Sequence, residues 1–280
     1  MENKMNSTTN TAVPKPVSIR RRRRAFRLSE RQGWGIGAVL VFLAGWELFG
    51  SSGSVLARYI SKPSQVVQAG AEWLSGGDFY RHLQISLQEI FGGFLLAVAA
   101  GVLGGLLMGR SRIIRGLFDP LVMALYATPL VALIPLLIIW FGIGVGSKIA
   151  AVFLFAVFPV LLNTITGIRQ VDPLLIRAGR SFGASEWQLF TKILLPGSIP
   201  AIISGIRLGW GKAMIGMVIG EMYVSTAGLG HLISSLGNSM KMGDLFFVIL
   251  IVAGMGYVGS NLLLRLEEKV MVWREEALGK

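Results

Sequence analysis

The side chains able to do chemistry in this chain are few and scattered. His82 and His231 stand apart, with neither a second histidine nor a carboxylate at ligand spacing, so no metal site is expected. Glu89, Asp119, Glu221 and Asp244 are too dispersed for the paired carboxylates of acid–base catalysis, and zero cysteines exclude thiolate ligands, disulfides and cysteine nucleophiles. Gly142-Ile-Gly-Val-Gly-Ser-Lys148 approaches a phosphate-binding loop but lacks its Gly-Lys-Ser/Thr ending and reads as a tight turn. No enzyme and no cofactor follow from these residues. What stands out is charge within apolar sequence: Arg207, Lys212 and Glu221 in the run 200–221. Ionisable groups in such surroundings are costly and mark routes for polar solutes. As helix residues, Arg207 and Glu221 share a face about 21 Å apart, too far to pair, while Lys212 points away. Lys212, Glu221 and Asn163 are therefore the candidate lining of a path, with Tyr126 and Trp210 as candidate wall residues. Snorkelling of the long stems to an interface accounts for Arg207 equally well and for Lys212 in part.

These residues need an apolar frame, and the composition supplies one. Of 280 residues, 53% are hydrophobic and 15% charged, with a mean hydropathy of +0.63, which excludes an ordinary soluble domain and a disordered chain. Six runs are long and apolar enough to cross a membrane: 34–50, 83–109, 117–142, 149–168, 200–221 and 245–264. Pro120, Pro129 and Pro135 are expected to kink the third. The expectation is an all-α integral membrane bundle of six transmembrane helices.

The net charge of +12 would suggest a nucleic-acid partner in a soluble protein. Alternating the six runs from a cytoplasmic N-terminus, with Arg207 and Lys212 counted on the inner half, places 22 of the 27 basic residues inside. Positively charged loops stay cytoplasmic, so both termini are expected there and no nucleic-acid partner is. Residues 1–33, ending in Arg20 to Arg24, Arg27 and Arg31, read as a disordered basic cytoplasmic leader. Arg23-Arg24-Ala25-Phe26-Arg27-Leu28 looks like a twin-arginine signal, but the many apolar runs that follow favour an uncleaved anchor. Residues 34–268 form the membrane domain and 269–280 a cytoplasmic tail. Gly101, Gly105 and Gly109, Gly205 and Gly209, and Gly216 and Gly220 recur every fourth residue, cutting grooves for close helix approach, with packing inside the chain favoured over a dimer seam.

The cytoplasmic loop 169–199 is too long for a turn. Asp172-Pro173 reads as an N-cap and first helical residue, the helix ends near Gly183, and Ser185 with Gln188 forms a capping box for a second short helix closing before Pro196. Phe182, Trp187, Leu189 and Phe190 are unusual in a solvated linker and call for a partner or the bilayer surface.

On these residues the segment resembles the conserved cytoplasmic loop of ATP-binding-cassette importer permeases: Glu-Ala-Ala, three residues, Gly, nine residues, Ile-x-Leu-Pro. Ala178, Gly183, Ile193, Leu195 and Pro196 match; Arg177 replaces the family's Glu and Gly179 its last Ala. Pro135-Leu-Leu-Ile-Ile-Trp140-Phe-Gly-Ile-Gly144, and Gly220-Glu221-Met222 followed by Gly228-Leu-Gly230, look like the nitrate, taurine and alkanesulfonate branch. The resemblance implies a type I importer permease of the inner membrane. It implies a second permease copy as homodimer partner, an ATP-binding subunit dimer that hydrolyses ATP on the cytoplasmic side, and an extracytoplasmic substrate-binding protein. The coupling residues it implies are Arg177, Ala178, Gly179, Arg180, Phe182, Gly183, Ile193, Leu195 and Pro196. Arg177 and Arg180, three apart on one face, suit acidic residues of the ATPase or anionic lipid headgroups equally. The alternative from another class is a self-contained secondary transporter or channel, with Arg207, Lys212 and Glu221 as its ion sites.

Overall fold

The computed structural model describes residues 30–277, of which side-chain surroundings are described between 34 and 269. The basic leader therefore lies outside the described residues apart from 30–33, which already belong to α1 (Glu30–Gly50). The tail follows the same pattern: residues 269–277 continue the last helix, and 278–280 are not described. The chain divides into two units, Met1–Gly45 and Trp46–Lys280. The described part of the first is the opening of α1; all that follows concerns the second.

The described residues form helices and no strands. After α2 (Val55–Ile60) and α3 (Pro63–Ser75) come α4 (Gly77–Arg110), α5 (Arg112–Ala127), a 3₁₀ turn (Leu130–Leu133) and α6 (Ile134–Phe141). Then follow α7 (Val145–Arg169), α8 (Pro173–Ser181), α9 (Glu186–Leu189), a π-helical turn (Phe190–Leu194), α10 (Leu195–Val224), α11 (Leu229–Asn238) and α12 (Met242–Ala277).

The six apolar runs differ in form among the described residues. Four helices are each long and apolar enough to cross: Gly77–Arg110, Val145–Arg169, Glu186–Tyr223 and Met242–Lys269. The third run is a broken pair, Arg112–Ala127 and Leu130–Phe141, bent by 95°. Proline explains where it breaks. Pro120 is accommodated inside α5, but Thr128, preceding Pro129, is pushed out of the helical region to φ −71°, ψ 135°, which ends the helix. Within α1, Gly37–Gly50 is a shorter apolar helix among the described residues.

α7 is the axis of the body, gripped by α4 and α10, and glycine sets both distances. A Cβ added at Gly101 would lie 2.8 Å from that of Val160, and one at Gly105 2.5 Å from that of Thr164. Gly205 and Gly209 of α10 meet Asn163 and Val160 with similar closeness, and Gly216 meets Phe155. The fourfold ladders thus serve packing within the chain, where backbones without side chains gain dispersion contact that lipid cannot provide. Around this seam Ile90, Phe94, Ala97, Val152, Ala156, Trp210, Ala213, Met214 and Met217 form the main apolar core. A second core joins α3, α11 and α12 through Val66, Ala69, Leu229, Leu232, Leu236, Phe247 and Val248.

Candidate functional site

The loop 169–199 folds into a capped elbow. Asp172 accepts a hydrogen bond from the Leu174 N–H at 2.8 Å, starting α8 at Pro173, and Gly183 ends it at φ +77°, a conformation that L side chains resist. Ser185 and Gln188 exchange both capping-box hydrogen bonds at the start of α9. The second helix does not close before Pro196. It passes through the π turn into α10, so Glu186–Tyr223 is one helix of 38 residues. Proline lacks an N–H and its ring presses on the carbonyl four residues back, here Lys192; the wider π turn places that carbonyl where the ring tolerates it.

The four apolar side chains of this segment divide. Leu189 is buried and Phe190 half-buried, with the Arg110 guanidinium 5.2 Å from the Phe190 ring centre. Phe182 and Trp187 stand 91% and 65% exposed, joined by Leu174 and Leu175 of α8. Gly179 is where α8 meets the rod: an added Cβ would come 2.7 Å from Leu189 Cδ2 and 2.9 Å from Ile193 Cδ1. Leu195 and Pro196 are half-buried at the base of α10, and Arg177 and Ala178 are exposed. Arg180 pairs with Glu186 at 3.1 Å, across the elbow. Both groups are well exposed, so this pair contributes at most about 1 kcal/mol.

At the other end of α10 lies a buried polar cluster. Glu221, fully buried, accepts hydrogen bonds from Ser86 Oγ and the Gly230 N–H, both at 2.6 Å. Ser86 Oγ in turn accepts from the Leu229 N–H at 2.8 Å, and His82 Nδ1 from the Gly228 N–H at 2.9 Å. Orphan donors at the start of α11 are thereby satisfied by side chains of α4 and α10. Lys148 Nζ lies 2.7 Å from Glu89 Oε1 and donates to Ser225 Oγ at 2.9 Å. The cluster ties α4, α7, α10 and α11 together. Gly228, at φ +119°, has room for no side chain, since an added Cβ would meet the Glu221 carboxylate.

The proposed path residues do not gather. Glu221 belongs to this cluster. Trp210 is core, edge-on to Phe94 with its indole N–H donating to the Gly256 carbonyl at 3.2 Å. Asn163 spends its Nδ2 on the Pro159 carbonyl and lies against Gly205. Tyr126 and Lys212 are exposed, the Tyr126 ring 5.9 Å from that of Phe158. Arg207 pairs with Glu267 of α12 at 3.1 Å, a partner rather than an interface.

Residues 97–271 match the family described as the binding-protein-dependent transport system inner membrane component, well over half of the chain. The chain belongs to this family. It is a multi-pass permease of the inner membrane and a transport component, not an enzyme. The permease is similar to the putative aliphatic sulfonates transport permease protein SsuC of Bacillus subtilis, 35% identical over 252 residues, 89% of this chain and 91% of that protein. It is also similar to the taurine transport system permease protein TauC of Escherichia coli, 30% identical over 269 residues, 94% of this chain and 98% of that one. In fold it resembles the MetNI methionine ABC transporter solved in inward-facing conformations, with a TM-score of 0.61 at 19% identity over 68% of this chain and 95% of that one. The architecture is that of type I importer permeases.

Sequence reasoning about the permease missed the pairing of Glu89 with Lys148 and the stacking of the His82 and His231 rings, 6.2 Å between centres. The only signal for the ion pair was that Glu89 and Lys148 are opposite charges set within or beside apolar runs, where isolated charge is costly.

Proposed function

We propose that two copies of this permease form the translocation path of an ATP-driven importer for a small organic anion, such as a sulfonate, taurine or nitrate. An extracytoplasmic binding protein delivers the anion and an ATP-binding subunit dimer drives passage. The observation that carries this reading is the capped elbow of α8, Gly183 and α9. It presents Phe182 to solvent at the end of α8 and Trp187 on a helix about 57 Å long that continues through the body. A pair of exposed aromatics on a rigid lever is a poor linker and a good docking knob, able to turn movement of a bound ATPase into tilting of α10. Positive-inside sorting puts this elbow and both termini in the cytoplasm, with 1–33 as leader, 169–199 as coupling loop and 269–280 as tail. α5 buries none of its residues against the rest of the chain, which suits coverage by the second copy. Within the path Lys212 and Tyr126 face the cargo, while Asn163, Trp210 and Glu221 hold the helices that wall it. The similarity to permeases named for sulfonates and taurine supports the choice of anion.

The test is uptake of radiolabelled ethanesulfonate by proteoliposomes holding the permease alone, or with its ATPase and binding protein. ATP-dependent uptake requiring all components is expected. Accumulation by the permease alone would show a self-contained transporter.

A further inference from the structure

We propose that Lys212 is the anion-recognition site of the path, its ammonium holding the sulfonate, carboxylate or nitrate group of the cargo at mid-membrane. The inference rests on the transport reading above and names the group that selects for charge.

The buried charges of the described residues are matched. Glu89 pairs with Lys148, Arg207 with Glu267, and Glu221 is held by Ser86 and Gly230. Lys212 has neither an ion pair nor a hydrogen-bond partner among the described residues, and it is exposed. Its stem is short against its distance from either end of α10. At 1.5 Å per residue it lies about 26 Å from Leu195 and about 18 Å from Val224, while a lysine stem reaches about 6 Å.

Its direction follows from its neighbours on α10. Ala213 and Trp210 pack with Phe94 into the core shared with α4. At 100° per residue Lys212 falls on the other side of Gly209, together with exposed Leu208 and Ile215. Gly216 meets Phe155 and Gly205 meets Pro159, so Lys212 stands level with residues 155–159 of α7. Phe158, which carries the Tyr126 ring, belongs to that level. Lys212 and Tyr126 therefore sit at one depth, and Gly211 beside the lysine leaves open space where a side chain would be.

Among the described residues no acid pairs with the ammonium. α7 contains no Asp or Glu, and Asp119 of α5 lies about 10 Å along its helix from Tyr126. A charge so placed needs water or an anion from outside the chain. Passage requires binding weak enough to release.

The chain contains no cysteine, so Lys212→Cys creates a unique thiol. Its thiolate attacks the sulfenyl sulfur of a methanethiosulfonate reagent, forming a disulfide and releasing methanesulfinate; the aminoethyl reagent thereby restores a cation and the sulfonatoethyl reagent installs an anion. In the assembled importer, Lys212→Cys is expected to take up ethanesulfonate at least about tenfold more slowly, the loss of one charge-assisted contact. Aminoethylation recovers uptake and sulfonatoethylation does not. Wild-type uptake by Lys212→Cys, equal rescue by both reagents, or a thiol unreactive in every nucleotide state would overturn the proposal. Should Lys212→Cys fail to insert, Lys212→Arg and Lys212→Gln decide: Arg keeps uptake and Gln loses it, and equal rates overturn the proposal. If the wild-type importer carries a neutral solute but neither ethanesulfonate nor nitrate, the anion reading falls and Lys212 with it. If Lys212→Cys carries ethanesulfonate normally, the lysine proposal alone falls.

Discussion

Replacing Glu89 by Gln should destabilise the permease far more than any exposed ion-pair change. Lys148 Nζ lies 2.7 Å from Glu89 Oε1, with side-chain exposures of 7% and 0%. Without the carboxylate the ammonium keeps one hydroxyl partner, Ser225, and cannot reach water. Breaking a buried pair from one side costs about 3–5 kcal/mol, whereas replacing both members by apolar residues of similar volume is often neutral. For a chain of this size each kcal/mol moves Tm by about 2–4 °C, so Glu89→Gln and Lys148→Met should each lower it by about 6–20 °C. Glu89→Met combined with Lys148→Met should lose less than either single change. Glu186→Gln, which breaks the exposed Arg180 pair, is the internal reference and should cost at most about 1 kcal/mol. The assay is thermal unfolding of detergent-purified protein followed by circular dichroism. Shifts below about 2 °C for Glu89→Gln and Lys148→Met, or a double variant as unstable as the two losses added, would refute the view that this pair locks α4 to α7.

Two glycine substitutions give opposite outcomes in the same assay. Gly228→Ala combines an unfavourable φ of +119° with collision against the Glu221 carboxylate; backbone strain alone is worth about 1–3 kcal/mol, and a marked loss of Tm with proteolytic release of α11 is expected. Gly116→Ala on α5, where nothing lies within 4 Å, should raise stability by up to about 1 kcal/mol, since alanine favours a helix interior over glycine.

What could be read from residue order was whatever is decided locally. Asp172, Pro173, Gly183, Ser185 and Gln188 placed the elbow because caps and turn residues act within a few positions. The fourfold glycines predicted close helix contact for the same reason. Misjudgements came where one element met another. Pro129 was expected to bend a span and instead ended it, because the residue before it left the helical region. Pro196 was expected to end a helix, yet a π turn carried the rod through it. Glu89, Glu221 and His82 looked isolated because their meetings depend on the packing of α4 against α7, α10 and α11, which no spacing along the chain encodes.

The coupling claim is tested most directly at Gly183. At Gly183 an added Cβ meets nothing within 4 Å, but the β-branched residue of Gly183→Val resists φ +77°, so the angle between α8 and the long helix must change. With the permease, ATPase and binding protein reconstituted together, ATP hydrolysis and ethanesulfonate uptake are measured on the same proteoliposomes. The account predicts normal insertion, continued hydrolysis and uptake reduced at least about tenfold, the consequence of a barrier raised by about 1.4 kcal/mol. Uptake at the parental rate per ATP hydrolysed would contradict it.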